Sequence, residues 1–229
     1  MNNLAIITAR SGSKGLKDKN IKLLNGLPLM AYSIKAALDS GMYSHVMVST
    51  DSPEYARIAM EHGAEVPFLR SEATSTDKAG SWDVVKEVIL EYRKLGMEFD
   101  TVTLLQPTSP LRTGKDICEA YALYKEKNAT AVAAMCEVEH PPMWCSVLPE
   151  SLCMGEFAKN TANVQRQAFG KYYRCNGAIY IVDVKHFLTT GVVYDDGCYA
   201  YIMPGERSHD IDSELDFVIA EAIMNHFKE

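Results

Sequence analysis

The residues best suited to chemistry near the start of the chain form a glycine-rich basic loop. The loop follows a short apolar run, Leu4–Ile7, whose length suits a buried strand better than a helix. From Ala9 to Asn20 it reads A-R-S-G-S-K-G-L-K-D-K-N, with two glycines among the cations Arg10, Lys14, Lys17 and Lys19. Glycines let main-chain N–H groups approach an anionic ligand, and the cations supply the charge that binds a polyphosphate. This predicts a nucleotide site at the carboxyl edge of an α/β sheet, although the spacing matches no standard phosphate motif and a solvated basic turn is the alternative.

Two aspartates, Asp210 and Asp212, stand just before the last predicted helix and could hold a metal ion. Side chains two residues apart in extended backbone point to the same side. Such a pair of carboxylates suits Mg²⁺, which typically combines one or two carboxylates with substrate phosphates. Each aspartate taken singly is also explained as a cap of the following helix, favoured by the helix dipole.

Two further groups of polar residues could bind a substrate. Gln106 ends a predicted strand in the segment Q-P-T-S-P-L-R, and its amide can donate and accept hydrogen bonds at a base or sugar edge. A loop stiffened by its prolines is the alternative. The second group is Arg166, Arg174 and Asn176, since arginine binds carboxylates and phosphates bidentately. An isolated arginine is more often part of a surface ion pair.

The elements that must position these residues alternate between apolar strands and amphipathic helices. The predicted strands cover residues 4–7, 45–51, 66–70, 101–106, 131–136, 177–183 and 199–203. The predicted helices cover residues 27–38, 53–62, 82–95, 117–124 and 213–227, and residues 72–80 are predicted to be a loop. Continuous apolar strands separated by helices predict an α/β fold with a Rossmann-like, mostly parallel sheet and helices on both faces.

The alternation breaks between His140 and Tyr173, where two adjacent prolines stand among many polar residues. A structureless loop of that length is improbable inside a compact domain. We therefore expect one domain over residues 1–229 that carries an excursion at residues 140–173. The excursion should pack on something else, and a partner subunit is the natural candidate.

The composition limits the classes of function. The formal net charge of -7 argues against a nucleic-acid surface, so a small anionic ligand explains the basic loop better. No stretch approaches the length of a membrane span, and the opening residues do not read as a signal peptide. The six cysteines are scattered without a C-x-x-C pair or zinc-ligand spacing. We therefore expect a cytoplasmic protein with no nucleic-acid or membrane partner, whose thiols are mostly buried.

Four segments of the chain are specific in combination: A-R-S-G-S-K-G-L-K-D-K-N, L-L-Q-P-T-S-P-L-R-T-G, R-C-N-G-A-I-Y-I and H-D-I-D-S-E-L-D. In this order they resemble the acylneuraminate cytidylyltransferases, the family of CMP-sialic acid synthetases and of relatives acting on other 2-keto-3-deoxy sugar acids. The likeness covers essentially the whole chain. It implies a Mg²⁺-dependent reaction in which CTP and a nonulosonic acid, with N-acetylneuraminate the leading choice, give the CMP-sugar and pyrophosphate. The sugar hydroxyl would attack the α-phosphorus of CTP.

The resemblance also implies roles for individual residues. The triphosphate would be contacted by the catalytic cations Arg10 and Lys19, with Lys14 and Asn20 in the same loop. The cytidine end would be bound at Arg70 and Ser81, and the sugar acid at Gln106. Further contacts to the nucleotide-sugar would come from Arg166, Arg174 and Asn176. The carboxylates that bind the metal and complete the catalytic set would be Asp210 and Asp212.

The family is dimeric, and its subunits exchange a segment that corresponds to the excursion. Some members place a basic residue of the partner near the sugar carboxylate there, whereas this chain has Trp144 in P-P-M-W-C. Legionaminic, pseudaminic or a related acid is therefore the alternative substrate. A sugar-1-phosphate nucleotidyltransferase would share the basic loop but not the paired Asp210 and Asp212. A non-catalytic CMP-sugar sensor would have lost a metal carboxylate or a loop cation, and none is lost here.

Overall fold

A six-stranded sheet forms the centre of the structure, a computed structural model that describes residues 1–12, 15–76, 78–155 and 170–227. The strands are β1 (Asn3–Thr8), β2 (Leu23–Leu24), β3 (Leu27–Pro28), β4 (His45–Ser49), β5 (Thr101–Leu105), β6 (Ala131–Glu137), β7 (Tyr173–Asp183) and β8 (Cys198–Ile202). The large sheet has the order β4-β1-β5-β7-β6-β8, and β2 and β3 pair separately. Only β7 runs antiparallel to its neighbours in the large sheet, so the predicted mostly parallel sheet is confirmed.

Helices cover both faces of this sheet, as the apolar strands predicted. They are α1 (Leu29–Ser40), α2 (Pro53–Glu61), α3 (Glu72–Ser75), α4 (Ser81–Lys94), α5 (Gly114–Glu126), α6 (Val184–Thr190) and α7 (Glu214–His226). One core lies between the sheet and α1, α2 and α5, and the other between the sheet and α4 and α6. In β1, Ala5 and Ile7 enter the first core, while Leu4 and Ile6 enter the second. Burial on both faces explains why β1 is apolar throughout instead of alternating.

The helix boundaries follow local signals in the sequence. Pro28 precedes α1, and Gly41 ends it with a left-handed backbone, φ 62°. The hydroxyl of Ser52 accepts a hydrogen bond from the N–H of Tyr55 at the start of α2. Ser213 and Asp216 form a reciprocal capping box at the start of α7. The predicted starts of these three helices are therefore confirmed to within two residues.

Three local predictions were wrong. The strand expected at residues 66–70 is absent, and the only pairing there is an isolated bridge between Met47 and Glu65. Pro67 has no N–H to continue that ladder, so the chain leaves the sheet edge. The predicted loop at 72–80 contains the short helix α3, and α6 was not predicted. Each of these elements is short, so its periodicity is weak.

The expectation that the thiols are mostly buried was also wrong. Cys136, on a central strand, is buried, whereas Cys145, Cys153 and Cys175 are exposed. Cys145 and Cys153 lie in the excursion, away from both cores, which explains their exposure.

Within the described ranges, no helix combines the length and apolar character needed to cross a membrane. The cytoplasmic location stays a prediction.

The excursion connects two antiparallel neighbours, β6 and β7, and leaves the sheet as the end of their hairpin. Glu137 pairs with Tyr173, and the N–H of Val138 donates to the carbonyl of Tyr172 at 2.9 Å. Beyond this stem the chain makes a short helical turn at Pro142–Trp144. Residues 156–169 of the predicted excursion lie outside the described residues. Its function as a dimerisation element, and the description of residues 1–229 as one domain, stay predictions.

Candidate active site

A cavity of about 540 Å³ opens at the carboxyl ends of β1 and β5. The strand order reverses at β1, with β4 on one side and β5 on the other, and such a switch point is where open α/β sheets bind ligands. The cavity brings together eight of the predicted site residues, Arg10, Lys19, Asn20, Arg70, Ser81, Gln106, Asp210 and Asp212. Lys14 and Arg166 lie outside the described residues.

The basic loop is fixed to the sheet edge by Asp51, a residue that sequence reasoning missed. Its two carboxylate oxygens accept hydrogen bonds from the N–H and the hydroxyl of Ser11, each at 2.9 Å. The side-chain amide of Asn20 donates to the carbonyl of Arg10 at 3.1 Å. Asn20 therefore shapes the loop that carries Arg10, besides lining the cavity. The position of Asp51, directly after a parallel strand in V-S-T-D, was the signal that could have identified it.

Arg70 provides a fixed positive charge in the cavity wall. Its Nε donates to the hydroxyl of Ser49 at 3.0 Å, and its Nη2 donates to the carbonyl of the same residue at 2.6 Å. Burial lowers the pKa of Arg70 to about 10, while the carboxylates of Asp51 and Glu87 oppose the shift. The guanidinium therefore stays protonated at neutral pH and suits an anionic or carbonyl-rich ligand.

The two aspartates are oriented by the residue between them. Ile211 is fully buried with Leu24, Leu29 and Phe217, so the flanking carboxylates of Asp210 and Asp212 both line the cavity. Lys19 crosses from the basic loop to this segment: its Nζ donates to the carbonyl of Ile211 at 2.7 Å and to Oδ1 of Asp212 at 2.9 Å. The predicted same-side arrangement of the two carboxylates is thus observed.

Asp216 caps α7 in place of the two aspartates. Its Oδ2 accepts hydrogen bonds from the N–H of Asp212 at 3.0 Å and from the N–H of Ser213 at 2.7 Å. Hydrogen bonds from the Ser213 side chain and then from the Asp212 backbone lower the pKa of Asp216 below its ordinary value. The helix-cap explanation therefore applies to Asp216, and it leaves the carboxylates of Asp210 and Asp212 to the cavity.

Asp210 and Asp212 are suited to a hard divalent cation. Across residues 1–12, 15–76, 78–155 and 170–227, no group of three or more His, Cys, Asp or Glu side chains could hold a metal ion. A pair of carboxylates beside the basic loop nevertheless fits Mg²⁺, which can take its other ligands from water and substrate phosphates. A metal here would therefore bind together with the nucleotide.

The segment R-C-N-G forms an irregularity in β7 that faces the Gln106 loop. Cys175 pairs with Met135 and Tyr180 pairs with Ala133, so four residues of β7 stand opposite one residue of β6. Gly177 lies in this bulge with φ 75°, and a Cβ built on it would come within 2.3 Å of Oε1 of Gln106. The positive φ favours glycine here, and any larger residue would also force the Gln106 side chain to move.

Arg174 and Asn176 do not line the cavity. Asn176 is buried, and its amide nitrogen donates to the hydroxyl of Ser208 at 2.9 Å while its oxygen accepts from the N–H of Ala178 at 3.1 Å. Nη2 of Arg174 donates to the carbonyl of Ser208 at 3.1 Å. Both residues connect β7 to the segment before Asp210, and their direct contact with a substrate stays a prediction.

We predict that Gly177→Ala displaces the Gln106 side chain and sharply reduces the reaction that the motifs imply, pyrophosphate release from CTP and a sugar acid. Gly191→Ala is the matched control, because Gly191 also has a left-handed backbone, φ 70°, but a Cβ there meets nothing within 4 Å. Both variants should lose roughly 1–2 kcal/mol of stability from the backbone conformation. Thermal unfolding and initial rates measure the two effects, and equal rates in the two variants would contradict the contact.

Comparison with known proteins shows the family to which the chain belongs. The cytidylyltransferase family model matches residues 4–169. The chain is 38% identical over 222 residues to the N-acylneuraminate cytidylyltransferase of Escherichia coli O18:K1:H7, across 96% of this chain and 52% of that protein. It therefore spans about half the length of that relative. It is 33% identical over 225 residues to the CMP-N,N'-diacetyllegionaminic acid synthase of Legionella pneumophila, across 96% of this chain and 95% of the relative.

A solved structure extends the likeness to the fold. The CMP:2-keto-3-deoxy-manno-octonic acid synthetase complexed with CTP superposes with a TM-score of 0.72, covering 99% of this chain and 100% of that chain. At 14% identity this likeness concerns the fold alone. The family match and the sequence relatives carry the assignment: the chain belongs to the cytidylyltransferase family, and its resemblance to the acylneuraminate cytidylyltransferases is confirmed.

Proposed function

We propose that the chain transfers CMP from CTP to the 2-hydroxyl of a nonulosonic acid and releases pyrophosphate, with N-acetylneuraminate as the leading substrate. The observation that carries the proposal is a single cavity in which cations of the first loop meet a pair of carboxylates and Gln106. The E. coli and L. pneumophila relatives are named for N-acylneuraminate and diacetyllegionaminic acid, which supports a nine-carbon sugar acid. Legionaminic, pseudaminic or a related acid is the alternative substrate.

The cavity residues divide between the two substrates. Arg10 and Lys19 take the triphosphate, where fixed cations stabilise the negative charge that develops on the phosphates. Arg70, which lies between α2 and α3 and donates its N–H to the carbonyl of Thr50 just after β4, and Ser81, at the start of α4, take the cytidine end. Gln106 holds the sugar acid beside the bulge of β7. With these roles the sugar hydroxyl and the nucleotide would meet in one cavity, and such positioning supplies much of the rate enhancement in a transfer between two substrates.

The transfer itself is a displacement at phosphorus. The oxygen of the sugar 2-hydroxyl forms a bond to the α-phosphorus and gives up its proton. The bond from the α-phosphorus to the bridging oxygen breaks, and pyrophosphate leaves with that electron pair. Gln106 is an amide and cannot take up the proton at neutral pH, so the base is to be sought among the cavity carboxylates.

We propose Mg²⁺ as the cofactor, held by Asp210 and Asp212. When bound, the ion would neutralise phosphate charge and acidify a coordinated hydroxyl. Lys19 already pairs with Oδ1 of Asp212 at 2.9 Å, so it holds this carboxylate beside the phosphate loop. The carboxylate of Asp216 also accepts a hydrogen bond from the backbone N–H of Asp212. The chain therefore fixes the carboxylate before the nucleotide arrives.

The direct test is pyrophosphate release with CTP and Mg²⁺ against a panel of N-acetylneuraminic, legionaminic, pseudaminic and 3-deoxy-octulosonic acids. UTP and GTP are the nucleotide controls, and omission of Mg²⁺ tests the metal requirement. We expect release that requires CTP, Mg²⁺ and a sugar acid, with N-acetylneuraminate preferred. Preference for another acid would keep the chemistry and change the substrate. No release from any pair would overturn the enzyme proposal in favour of a CMP-sugar sensor.

We predict that Asp212→Asn lowers turnover by on the order of 10²-fold or more, because it removes charge that stabilises the transition state. CTP binding, measured by calorimetry with and without Mg²⁺, should be largely kept but should lose its dependence on Mg²⁺. Glu214→Gln is the matched control, since Glu214 carries the same charge two residues away, pairs with Lys22 and is outside the cavity lining. A near-normal rate in Asp212→Asn would remove this carboxylate from the mechanism.

We also propose that the protein is a homodimer whose subunits exchange the excursion. The exposed side chains of Val147 and Leu152, at 95% and 70%, support this because such apolar groups outside both cores suit an interface. The ion pair of Lys171 with Glu137, at 2.9 Å, holds the stem from which the excursion extends.

We predict that replacing residues 140–170 by a two-residue Asn-Gly turn yields a monomer. The β6–β7 stem should tolerate this change, because Asn-Gly favours the tight turn that joins antiparallel strands. Sedimentation velocity of the variant and of the full chain at equal concentration measures the outcome. A variant that sediments as a dimer would contradict the exchange of the excursion.

A further inference from the structure

Arg112, the last residue of Q-P-T-S-P-L-R, is a buried cation just beneath the candidate active site. Only 3% of its surface is exposed. Its Nη1 donates to the carbonyl of Ala178 at 2.6 Å and to the carbonyl of Gln106 at 3.4 Å, and its Nη2 donates to the hydroxyl of Ser33. Burying a guanidinium is costly unless hydrogen bonds replace those lost to water, and these three contacts provide that replacement.

The acceptors of Arg112 belong to three different elements. Ser33 lies on α1, Gln106 follows β5, and Ala178 lies in the bulge of β7. Ser33 also donates to the carbonyl of Gln106 at 3.2 Å, so that carbonyl receives hydrogen bonds from two buried donors. The main chain at Gln106 is thereby fixed by two donors, Arg112 and Ser33, that do not line the cavity.

The same guanidinium fixes the residue against which the Gln106 side chain rests. Ala178 directly follows Gly177, where an added Cβ would come within 2.3 Å of Oε1 of Gln106. Arg112 therefore joins the backbone that carries Gln106 to the backbone that limits its side chain. A second link, from the hydroxyl of Ser109 to the carbonyl of Asn176 at 3.0 Å, holds the same two segments together.

We propose that Arg112 is a positioning residue for the sugar acid: through the Gln106 and Ala178 carbonyls it sets where the Gln106 amide meets this substrate. The inference rests on the proposed function, in which Gln106 holds the sugar acid. The nucleotide residues Arg10 and Arg70 are held by other contacts, to Asn20 and Ser49. Loss of Arg112 should consequently raise KM for the sugar acid more than KM for CTP.

The test is steady-state kinetics of Arg112→Lys and Ser33→Ala with each substrate varied in turn. A lysine keeps the charge, but it lacks the planar fork with which arginine reaches three acceptors at once. We expect Arg112→Lys to raise KM for the sugar acid about 10-fold, the loss expected for charged hydrogen bonds, with KM for CTP within about twofold. Ser33→Ala should raise the same parameter by less, since Arg112 still reaches the Gln106 carbonyl.

Ile34→Ala controls for a simple loss of stability. Ile34 is the neighbour of Ser33 on α1 and is fully buried in the first core, so its truncation destabilises the fold through a cavity. Its KM values should stay at those of the wild type at temperatures below unfolding. Equal rises in both KM values for Arg112→Lys and Ser33→Ala, or a lower melting temperature with unchanged KM values, would overturn the inference alone. A wild-type protein that releases no pyrophosphate would overturn the proposed function and this inference with it.

Discussion

The burial of Ile211 is the constraint on which the rest of the site depends. Its side chain is enclosed by Leu24, Leu29 and Phe217, and burying a side chain of this size is worth roughly 1.5–3 kcal/mol. Its N–H donates to the carbonyl of Thr108 at 2.9 Å, and its carbonyl accepts from Lys19. The two residues that flank Ile211, Asp210 and Asp212, are exposed and line the cavity. Burial of Ile211 thus anchors the segment that carries the candidate metal ligands.

The contacts of Ile211 also join three of the four sequence motifs. Thr108 belongs to the loop after β5, Lys19 to the basic loop, and Ile211 to the segment before α7. The fourth motif, in β7, is attached through Asn176 and Ser208 to the same segment. Residues distant in the sequence are therefore held together by hydrogen bonds to main-chain and buried groups, and the charged Nζ of Lys19 takes part in them.

The sequence was sufficient to predict most of the charged groups that line the cavity, but not the groups that hold them in place. Arg10, Lys19 and the two aspartates could be proposed because charge and spacing are local properties of the chain. Arg112 and Asn176 look alike in the sequence as polar residues of conspicuous motifs. The structure shows both to be buried supports, because their hydrogen-bond partners lie on other elements. Such long-range pairing is not encoded in any local pattern.

The fold shows the same limit. Long apolar strands and capped helices were predicted, because burial on two faces and capping boxes leave clear local signals. The bulge around Gly177 could not be predicted, since it depends on where β7 meets β6 and Gln106. The strand predicted at residues 66–70 is absent because Pro67 has no N–H with which to continue the ladder after Glu65.

We propose above that the sugar hydroxyl attacks the α-phosphorus of CTP in this cavity. The most direct measurement is ³¹P NMR of the reaction with N-acetylneuraminate that carries ¹⁸O in its anomeric hydroxyl. The account predicts an isotope-shifted phosphorus resonance in the CMP-sugar and unlabelled pyrophosphate. Label in the pyrophosphate, or a CMP-sugar without the shift, would contradict it.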